Sequence, residues 1–220
     1  MQSDTVGARL VRPLASPCHP RFRDMSLPHI DPVPLQLVDA AYDDDDWICE
    51  VKYDDFRAIA YEENGACRLI NRKSHHCKRF RRLSNRIPDS IRAESAILDG
   101  EVVGLDDTGQ AQFEDLMQNL RPPVYAVFDL VHLNGRDPRD EPMVERKRLL
   151  EEILADDPTP LLFVRHLEGQ ATALYQSICE MDGEGIVLKP KQSPYRQIKG
   201  RTSLLKVKNL DYTQAEDRGD

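Results

Sequence analysis

Eight short segments with the composition of β-strands, separated by turn signals, constrain the fold of this 220-residue chain more than any other feature. Asn64-Gly65 lies between the second and the third segment, and this dipeptide favours a two-residue hairpin turn because both residues tolerate positive φ. The region therefore opens as an antiparallel meander. The eight segments are residues 47–52, 56–62, 66–71, 96–103, 124–132, 161–165, 185–189 and 204–208.

Three further segments have the apolar spacing of helices, and they cover residues 113–119, 143–154 and 171–181. Because the strands do not alternate regularly with these helices, an α+β fold with antiparallel sheets is favoured over a doubly wound parallel sheet. Composition predicts three regions along the chain. They are a flexible N-terminal extension over residues 1–28, a folded domain over 29–212 and a flexible tail over 213–220.

The charged residues are sorted along the chain, and this changes the meaning of the net charge of −8. Residues 68–92 contain nine basic side chains and one acidic side chain, and residues 189–208 contain seven basic and none acidic. These two segments carry +15 together, which leaves −23 for the remainder. An acidic protein with this distribution can still present a surface that binds phosphates.

Several kinds of protein are excluded by motifs that the sequence lacks. No apolar run is long enough to span a bilayer, and no GxxxxGK[ST] loop is present. The five cysteines include no CxxC pair, a pattern typical of reduced thiols in the cytoplasm. We therefore expect a cytoplasmic protein in which any nucleotide site differs from a P-loop.

Five stretches combine charged or aromatic residues with strand ends. In the first, Lys52 ends a strand and is followed by Asp54 and Arg57. In the last, Lys206 and Lys208 are two residues apart, so both side chains face the same side of a strand. The stretches are residues 47–57 (WICEVKYDDFR), 98–101 (LDGE), 127–130 (VFDL), 184–189 (EGIVLK) and 205–208 (LKVK).

Together and in this order, the five stretches resemble the adenylation domain of ATP-dependent DNA ligases, and most of all the bacterial end-joining ligases. The resemblance extends over residues 31–209 and includes smaller matches at residues 135–137 (GRD), 145–147 (ERK) and 193–196 (SPYR). It implies the covalent nucleotidyltransferase fold, with two antiparallel β-sheets flanked by helices in an ATP-grasp-like arrangement. It also implies covalent transfer of AMP from ATP, for DNA strand joining in repair or recombination.

The resemblance implies which residues carry out this reaction. The Lys52 amine attacks the α-phosphate of ATP, expels pyrophosphate and holds AMP as a phosphoramidate. Lys206 and Lys208 favour the neutral amine and neutralise charge on the α-phosphate. Asp54 and Glu184 help to place a Mg²⁺ or Mn²⁺ ion, since carboxylate oxygens suit these cations.

A second group of residues is implied to bind the nucleotide. Glu50 and the backbone of Val51 read the adenine amino group, and Phe128 stacks on the flat purine. The other members are Arg57 and Glu101 at the ribose hydroxyls, Arg72 near the ribose or the phosphates, and Lys189 at the end of its strand. Nicked or broken DNA is expected to bind through the basic segments 68–92 and 189–208.

Three features depart from the family pattern and keep other functions open. Asp55 stands where the family has glycine, and residues 71–74 read NRKS in place of a Ser-Arg pair followed by glycine. Only 12 residues follow Lys208, too few for an OB-fold domain, so we expect an adenylation domain without a C-terminal OB domain, weak alone or completed by a separate protein. The alternatives are an RNA ligase or capping guanylyltransferase, and a non-catalytic remnant that binds nucleotide or nucleic acid.

Overall fold

The strands of the computed structural model, which describes residues 27–53 and 55–214, form two five-stranded sheets. Sheet A has the order β1 (Gln36–Leu37), β10 (Leu205–Lys208), β9 (Gly185–Pro190), β2 (Trp47–Val51) and β8 (His166–Glu168). Sheet B has the order β4 (Ala66–Asn71), β3 (Phe56–Glu63), β5 (Ser95–Gly104), β6 (Pro123–Leu133) and β7 (Leu161–Phe163). Neighbouring strands are antiparallel, except that β1 runs parallel to β10 and β7 runs parallel to β6.

Four helices and two 3₁₀ turns in the described residues connect and cover these sheets. The helices are α1 (Arg81–Ser84), α2 (Phe113–Gln118), α3 (Met143–Ile153) and α4 (Ala171–Glu180), and the turns are Lys78–Phe80 and Ile87–Ser90. The predicted α+β fold of two sheets flanked by helices is confirmed, with one parallel pair at an edge of each sheet. The sequence does not predict β1, β8 or α1, because elements of two to four residues are too short to show a period.

Apolar clusters set the two sheets face to face. On one face of sheet A, Ile178 of α4 packs with Cys49 of β2 and with apolar residues of β9 and β10. The opposite face meets sheet B, where Ile48 packs with Ile59 and Ile97. The outer face of sheet B is covered by α1, α3 and the 3₁₀ turns. The inner faces therefore enclose a space in which polar residues of both sheets can meet.

The acidic run at residues 43–46 has a structural role before β2. Asp43 Oδ1 accepts a hydrogen bond from the backbone N–H of Thr172, in the first turn of α4, at 2.8 Å. Asp44 Oδ1 accepts one from the N–H of Asp46 at 2.8 Å and closes a tight turn. A carboxylate at a helix N-terminus satisfies a free N–H and interacts favourably with the helix dipole. The run therefore ties α4 to the strand that leads into Lys52.

The hairpin between β3 and β4 contains a buried acid. Asn64 and Gly65 have φ angles of 53° and 78°, as the predicted two-residue turn requires. The backbone N–H of Gly65 donates to Glu62 Oε1 at 2.9 Å, whereas Oε2 has no hydrogen-bond partner within residues 27–53 and 55–214. Burial raises the pKa of Glu62 to about 7, although the Gly65 N–H acts to lower it.

We expect Glu62 to make folding stability fall as the pH rises from about 5 to about 8. Its carboxyl group stays protonated in the folded protein to about pH 7 but ionises at lower pH in the unfolded chain, so the folded state loses stability up to about pH 7 and little more above it. Glu62→Gln should remove this slope and stabilise the protein by about 1–2 kcal/mol above the folded pKa. Urea unfolding across this pH range measures the effect. Glu94→Gln, which removes an exposed carboxylate, is the control, and an unchanged slope in Glu62→Gln contradicts the assignment.

Candidate active site

The inner face of sheet A carries a row of charged side chains, and the strand register explains their alignment. Glu50 pairs with Val187, which in turn pairs with Lys206, so the three side chains lie on one face. Lys189 and Lys208 lie two residues from these positions along β9 and β10 and face the same way. The opposite face is apolar and packs against α4. Alternation along each strand thus separates the polar site from the core.

Lys52 follows β2 directly and is buried. Its backbone N–H donates to the Gly185 carbonyl at 3.0 Å, which extends the pairing of β2 with β9 by one residue. Its ammonium group donates to Glu184 Oε1, and both side chains are less than a tenth exposed. Gly185, which accepts this bond, must be glycine where β9 begins beside β10, because its φ is +139° and a Cβ there would lie 2.0 Å from the Val207 carbonyl oxygen. The strand ends therefore hold the Lys52 ammonium against a carboxylate.

A cavity of about 410 Å³ lies beside Lys52. Its walls include Lys52, Tyr53 and Glu184 on one side, and residues 108–111, the C-terminal end of α4 and Tyr212 on the other. This volume lies in the range of small-molecule sites, so a ligand of that size can bind beside Lys52.

Glu50 lies at the centre of a buried group of three charges. Lys147 of α3 donates to its Oε1 at 2.5 Å, and Lys189 of β9 lies 2.5 Å from its Oε2. All three side chains are at most 4 % exposed. Burial alone would raise the pKa of Glu50, but the two ammonium groups outweigh burial and lower it. The carboxylate of Glu50 is therefore ionised inside the protein.

Sheet B contributes a second charged group across the space. Arg57 donates two hydrogen bonds to Asp99, from Nε at 2.7 Å and from a terminal nitrogen at 2.5 Å. The Tyr195 hydroxyl donates to Asp99 Oδ2 at 2.7 Å. Burial acts to lower the pKa of Arg57, but Asp99 outweighs it and raises the pKa. Arg57 is thus a fixed cation on the wall that faces Glu50.

Phe128 enters the site at an irregularity in β6. Gly100 pairs with Val127 and Asp99 pairs with Asp129, so Phe128 is an extra residue between two paired positions. A bulge of this kind re-aims side chains. The Arg57 guanidinium carbon lies 4.6 Å from the centre of the Phe128 ring, and Lys189 Nζ lies 4.7 Å from it.

The structure brings most of the predicted nucleotide-binding residues to one cavity between the sheets. The six residues among its walls are Glu50, Val51, Arg57, Glu101, Phe128 and Lys189. The volume of this cavity is about 30 Å³, the share of one water molecule in the liquid. A purine can therefore enter only if side chains over the Phe128 ring, such as Arg57 or Lys189, move aside.

Other predicted site residues lie apart from these two cavities. Arg72 is exposed in the turn after β4 and lines neither of them. Lys206 and Lys208 are half-buried on the inner face of sheet A, beside the strand that begins after Glu184. Asp54, a predicted metal ligand, lies outside the described residues. Its neighbour Asp55, the departure from the family glycine, is half-buried just before β3.

Sequence reasoning missed the buried groups that support the site. Lys147 holds Glu50, and Arg146 donates two hydrogen bonds to Asp129 at 2.8 and 2.9 Å. One sequence signal could have found both basic residues. They lie three and four positions after the buried Met143, on the same helix face as Leu150, where an exposed basic residue is not expected.

The buried Lys52–Glu184 pair after β2, and the separate cavity that Glu50 and Phe128 line, fit the covalent nucleotidyltransferase class that the sequence resemblance implies. The family comparison defines the class further. Residues 35–208 match the model of the ATP dependent DNA ligase domain, so the chain belongs to this family. It is an adenylation domain of the ATP-dependent DNA ligase type, and nothing in the comparisons favours an RNA ligase, a capping enzyme or a non-catalytic remnant.

Individual relatives agree with this assignment. The chain is 30 % identical over 193 residues to the SPbeta prophage-derived DNA ligase-like protein LigB of Bacillus subtilis (strain 168), covering 84 % of this chain and 69 % of LigB. It is 32 % identical over 163 residues to the multifunctional non-homologous end joining protein LigD of Pseudomonas aeruginosa, covering 69 % of this chain and 19 % of LigD. The expected likeness to bacterial end-joining ligases is thereby confirmed.

Solved structures show the same fold. The mycobacterial DNA ligase D complexed with ATP and MES has a TM-score of 0.66 and 26 % identity, over 81 % of this chain and 60 % of that one. The ligase domain of Mycobacterium tuberculosis LigD has a TM-score of 0.63 and 26 % identity, over 80 % of this chain and 58 % of that one. The chain thus spans about three fifths of these structures. No helix in its described part is long and apolar enough to cross a membrane.

Proposed function

We propose that this domain transfers AMP from ATP to Nζ of Lys52, and that the AMP-lysine adduct serves DNA strand joining in repair or recombination. The observation that carries the proposal is the burial of Lys52 against Glu184, on the same sheet face as Lys206 and Lys208. Family membership supports the choice of ATP and DNA.

The proposed reaction begins with the opening of the Lys52–Glu184 pair. A carboxylate stabilises the ammonium form, which cannot attack, so the pair must separate and Lys52 must lose a proton to water. The amine then attacks the α-phosphorus, a nitrogen–phosphorus bond forms, the bond to the bridging oxygen breaks, and pyrophosphate leaves. Lys206 and Lys208 favour the neutral amine and neutralise charge that develops on the phosphate oxygens.

A divalent cation fits this donor set. The Glu184 carboxylate already holds one cation, the Lys52 ammonium group, and Asp54 is the second proposed ligand. Mg²⁺ in nucleotide sites is commonly held by one or two carboxylates together with the substrate phosphates, which is the role proposed for Glu184 and Asp54. When bound, the cation would neutralise phosphate charge.

For the nucleotide, we propose the roles that the resemblance implies. Glu50 and the Val51 backbone accept from the adenine amino group, Phe128 stacks on the base, and Arg57 with Glu101 contacts the ribose. Arg72 contacts the ribose or the phosphates, and Lys189 belongs to the same nucleotide site, where it lies beside Glu50 and the Phe128 ring. Of these residues, Arg72 has the weakest support, because its exposed turn must move to reach the two cavities.

Incubation with α-labelled ATP or GTP and Mg²⁺ or Mn²⁺ tests the proposal. We expect a protein adduct with ATP that is labile in acid and stable in alkali, as a phosphoramidate is, and little adduct with GTP. If the protein still binds DNA but is labelled by neither ATP nor GTP, the result would favour a non-catalytic role.

For DNA, we propose that the first basic segment supplies the main contact surface. A cavity of about 930 Å³ between α1 and α2 is lined by five arginines: Arg79, Arg81, Arg82, Arg86 and Arg121. Arg79 donates to backbone carbonyls of α2, and Arg121 pairs with Asp107 and Asp115. Arg81, Arg82 and Arg86 are exposed, and the structure gives them no ion pair within its described residues. These three side chains are therefore suited to DNA phosphates.

The second basic segment is less suited to DNA, because several of its cations already have acidic partners. Lys189 is buried on Glu50, Lys191 pairs with Glu168 at 2.5 Å, and Arg196 pairs with Asp140. We therefore assign Lys189 to the nucleotide site and place the DNA contact chiefly on α1.

We expect Arg81→Gln/Arg82→Gln to weaken DNA binding and to reduce its salt dependence. Each phosphate contact contributes about 0.9 to the slope of log affinity against log salt, so losing two lowers the slope by about 2. Fluorescence anisotropy with nicked DNA at several salt concentrations measures the DNA affinity and its salt dependence. Arg136→Gln/Arg148→Gln removes the same charge from arginines that pair with acids and is the matched control. Equal effects of the two double variants would refute the α1 surface.

A further inference from the structure

Lys147 is a fully buried cation that the proposed chemistry does not use. Its ammonium group donates to Glu50 Oε1 at 2.5 Å and to the Val164 carbonyl at 2.8 Å, and lies 3.4 Å from the Phe128 carbonyl. These partners belong to sheet A, to the segment after β7 and to sheet B, respectively. One side chain from α3 therefore bridges the two sheets at the position of the proposed adenine site.

The two side chains that Lys147 connects have complementary roles toward a base. Phe128 offers a face on which a purine can stack, and Glu50 offers an acceptor at its edge. Lys147 binds the Glu50 carboxylate and lies against the backbone of Phe128. A change at Lys147 therefore alters the position of the acceptor relative to the ring.

Glu50 retains acceptor capacity despite its two cationic partners. A carboxylate has about four lone-pair positions, and Lys147 and Lys189 occupy one on each oxygen. Glu50 also lines the cavity that contains Phe128. Adenine presents an amino donor where guanine presents a carbonyl acceptor. A fixed, ionised carboxylate attracts the adenine amino group and repels the guanine carbonyl oxygen.

We infer that Lys147 is a positioning residue that fixes the Glu50 carboxylate against the Phe128 ring and thereby favours adenine over guanine. The inference rests on the nucleotide site proposed above. Lys147 itself touches neither the base nor the reacting phosphate. It acts by keeping Glu50 in one orientation.

Titration calorimetry of AMP and GMP binding to the full chain tests this role without requiring adduct formation. For Lys147→Met we expect AMP affinity to fall about tenfold and the AMP-to-GMP preference to fall by a similar factor, the size of one hydrogen bond to a charged group. Lys147→Gln keeps a donor for the Val164 carbonyl but removes the charge, so it should lose AMP affinity and preference as Lys147→Met does. If Lys147→Met does not fold, Lys147→Gln tests the inference in its place. Lys147→Arg should keep the preference within about threefold, because it keeps the cation.

Arg148→Met is the matched control, since Arg148 follows on the same helix but pairs with Glu145 and Glu152 at the surface. It should leave both affinities unchanged. If the wild type prefers AMP and the folded Lys147 variants keep that preference, the inference fails and the proposed function stands. If the wild type binds neither AMP nor GMP, the inference and the proposed function both fail.

Discussion

Replacing Lys52 by alanine is expected to lower the ATP-derived adduct to background, a loss of at least about 10³-fold, because the substitution removes the proposed attacking nitrogen. The measurement is the initial rate of adduct formation from α-labelled ATP. Lys191→Ala, which removes a surface lysine paired with Glu168, is the matched control and should keep the full rate.

Lys52→Arg separates the nucleophile from a structural role. Arginine can still pair with Glu184, so folding should be retained, but the guanidinium group stays protonated and cannot attack. A Lys52→Arg protein that forms the adduct at the wild-type rate would show that a different residue carries AMP.

The second large effect is expected on stability, from Arg146→Met. Arg146 is buried and donates to both oxygens of Asp129 and to the carbonyls of Glu141 and Ser193. Its removal leaves a buried carboxylate without a cation, which typically costs about 3–5 kcal/mol. Urea unfolding should show a large decrease in the transition midpoint with an unchanged slope.

A double variant tests whether the uncompensated charge is the cause of this loss. Asp129→Asn/Arg146→Met removes both charges, while the amide oxygen can still accept from the Leu130 N–H that Asp129 binds at 2.9 Å. We expect the double variant to be more stable than Arg146→Met alone. Additive losses from the two single substitutions would contradict a coupled ion pair.

The fold was largely predictable because its signals are local. Alternating apolar residues and the Asn64-Gly65 turn reveal β3 and β4 without knowledge of the rest of the chain. The partners of an edge strand are not local. Gln36 pairs in parallel with Leu205, and no pattern in the two residues of β1 indicates this pairing.

The sequence predicts the residue types of the candidate site, but it does not predict the buried side chains that hold them in place. The order of the motifs predicts Lys52, Glu184 and Phe128 as site residues, whereas the direction of the Phe128 side chain depends on a bulge in β6 that only pairing with β5 reveals. Lys147 reaches Glu50 across 97 residues of sequence. Its role depends on how α3 packs against both sheets, which helix periodicity alone does not show.

The most direct test of the central claim is peptide mass spectrometry of the protein after incubation with ATP and Mg²⁺. The account predicts AMP on the peptide that contains Lys52, attached to its Nζ and absent from Lys52→Arg. AMP on another lysine, such as Lys206 or Lys208, or no adduct in a protein that binds ATP, would contradict it.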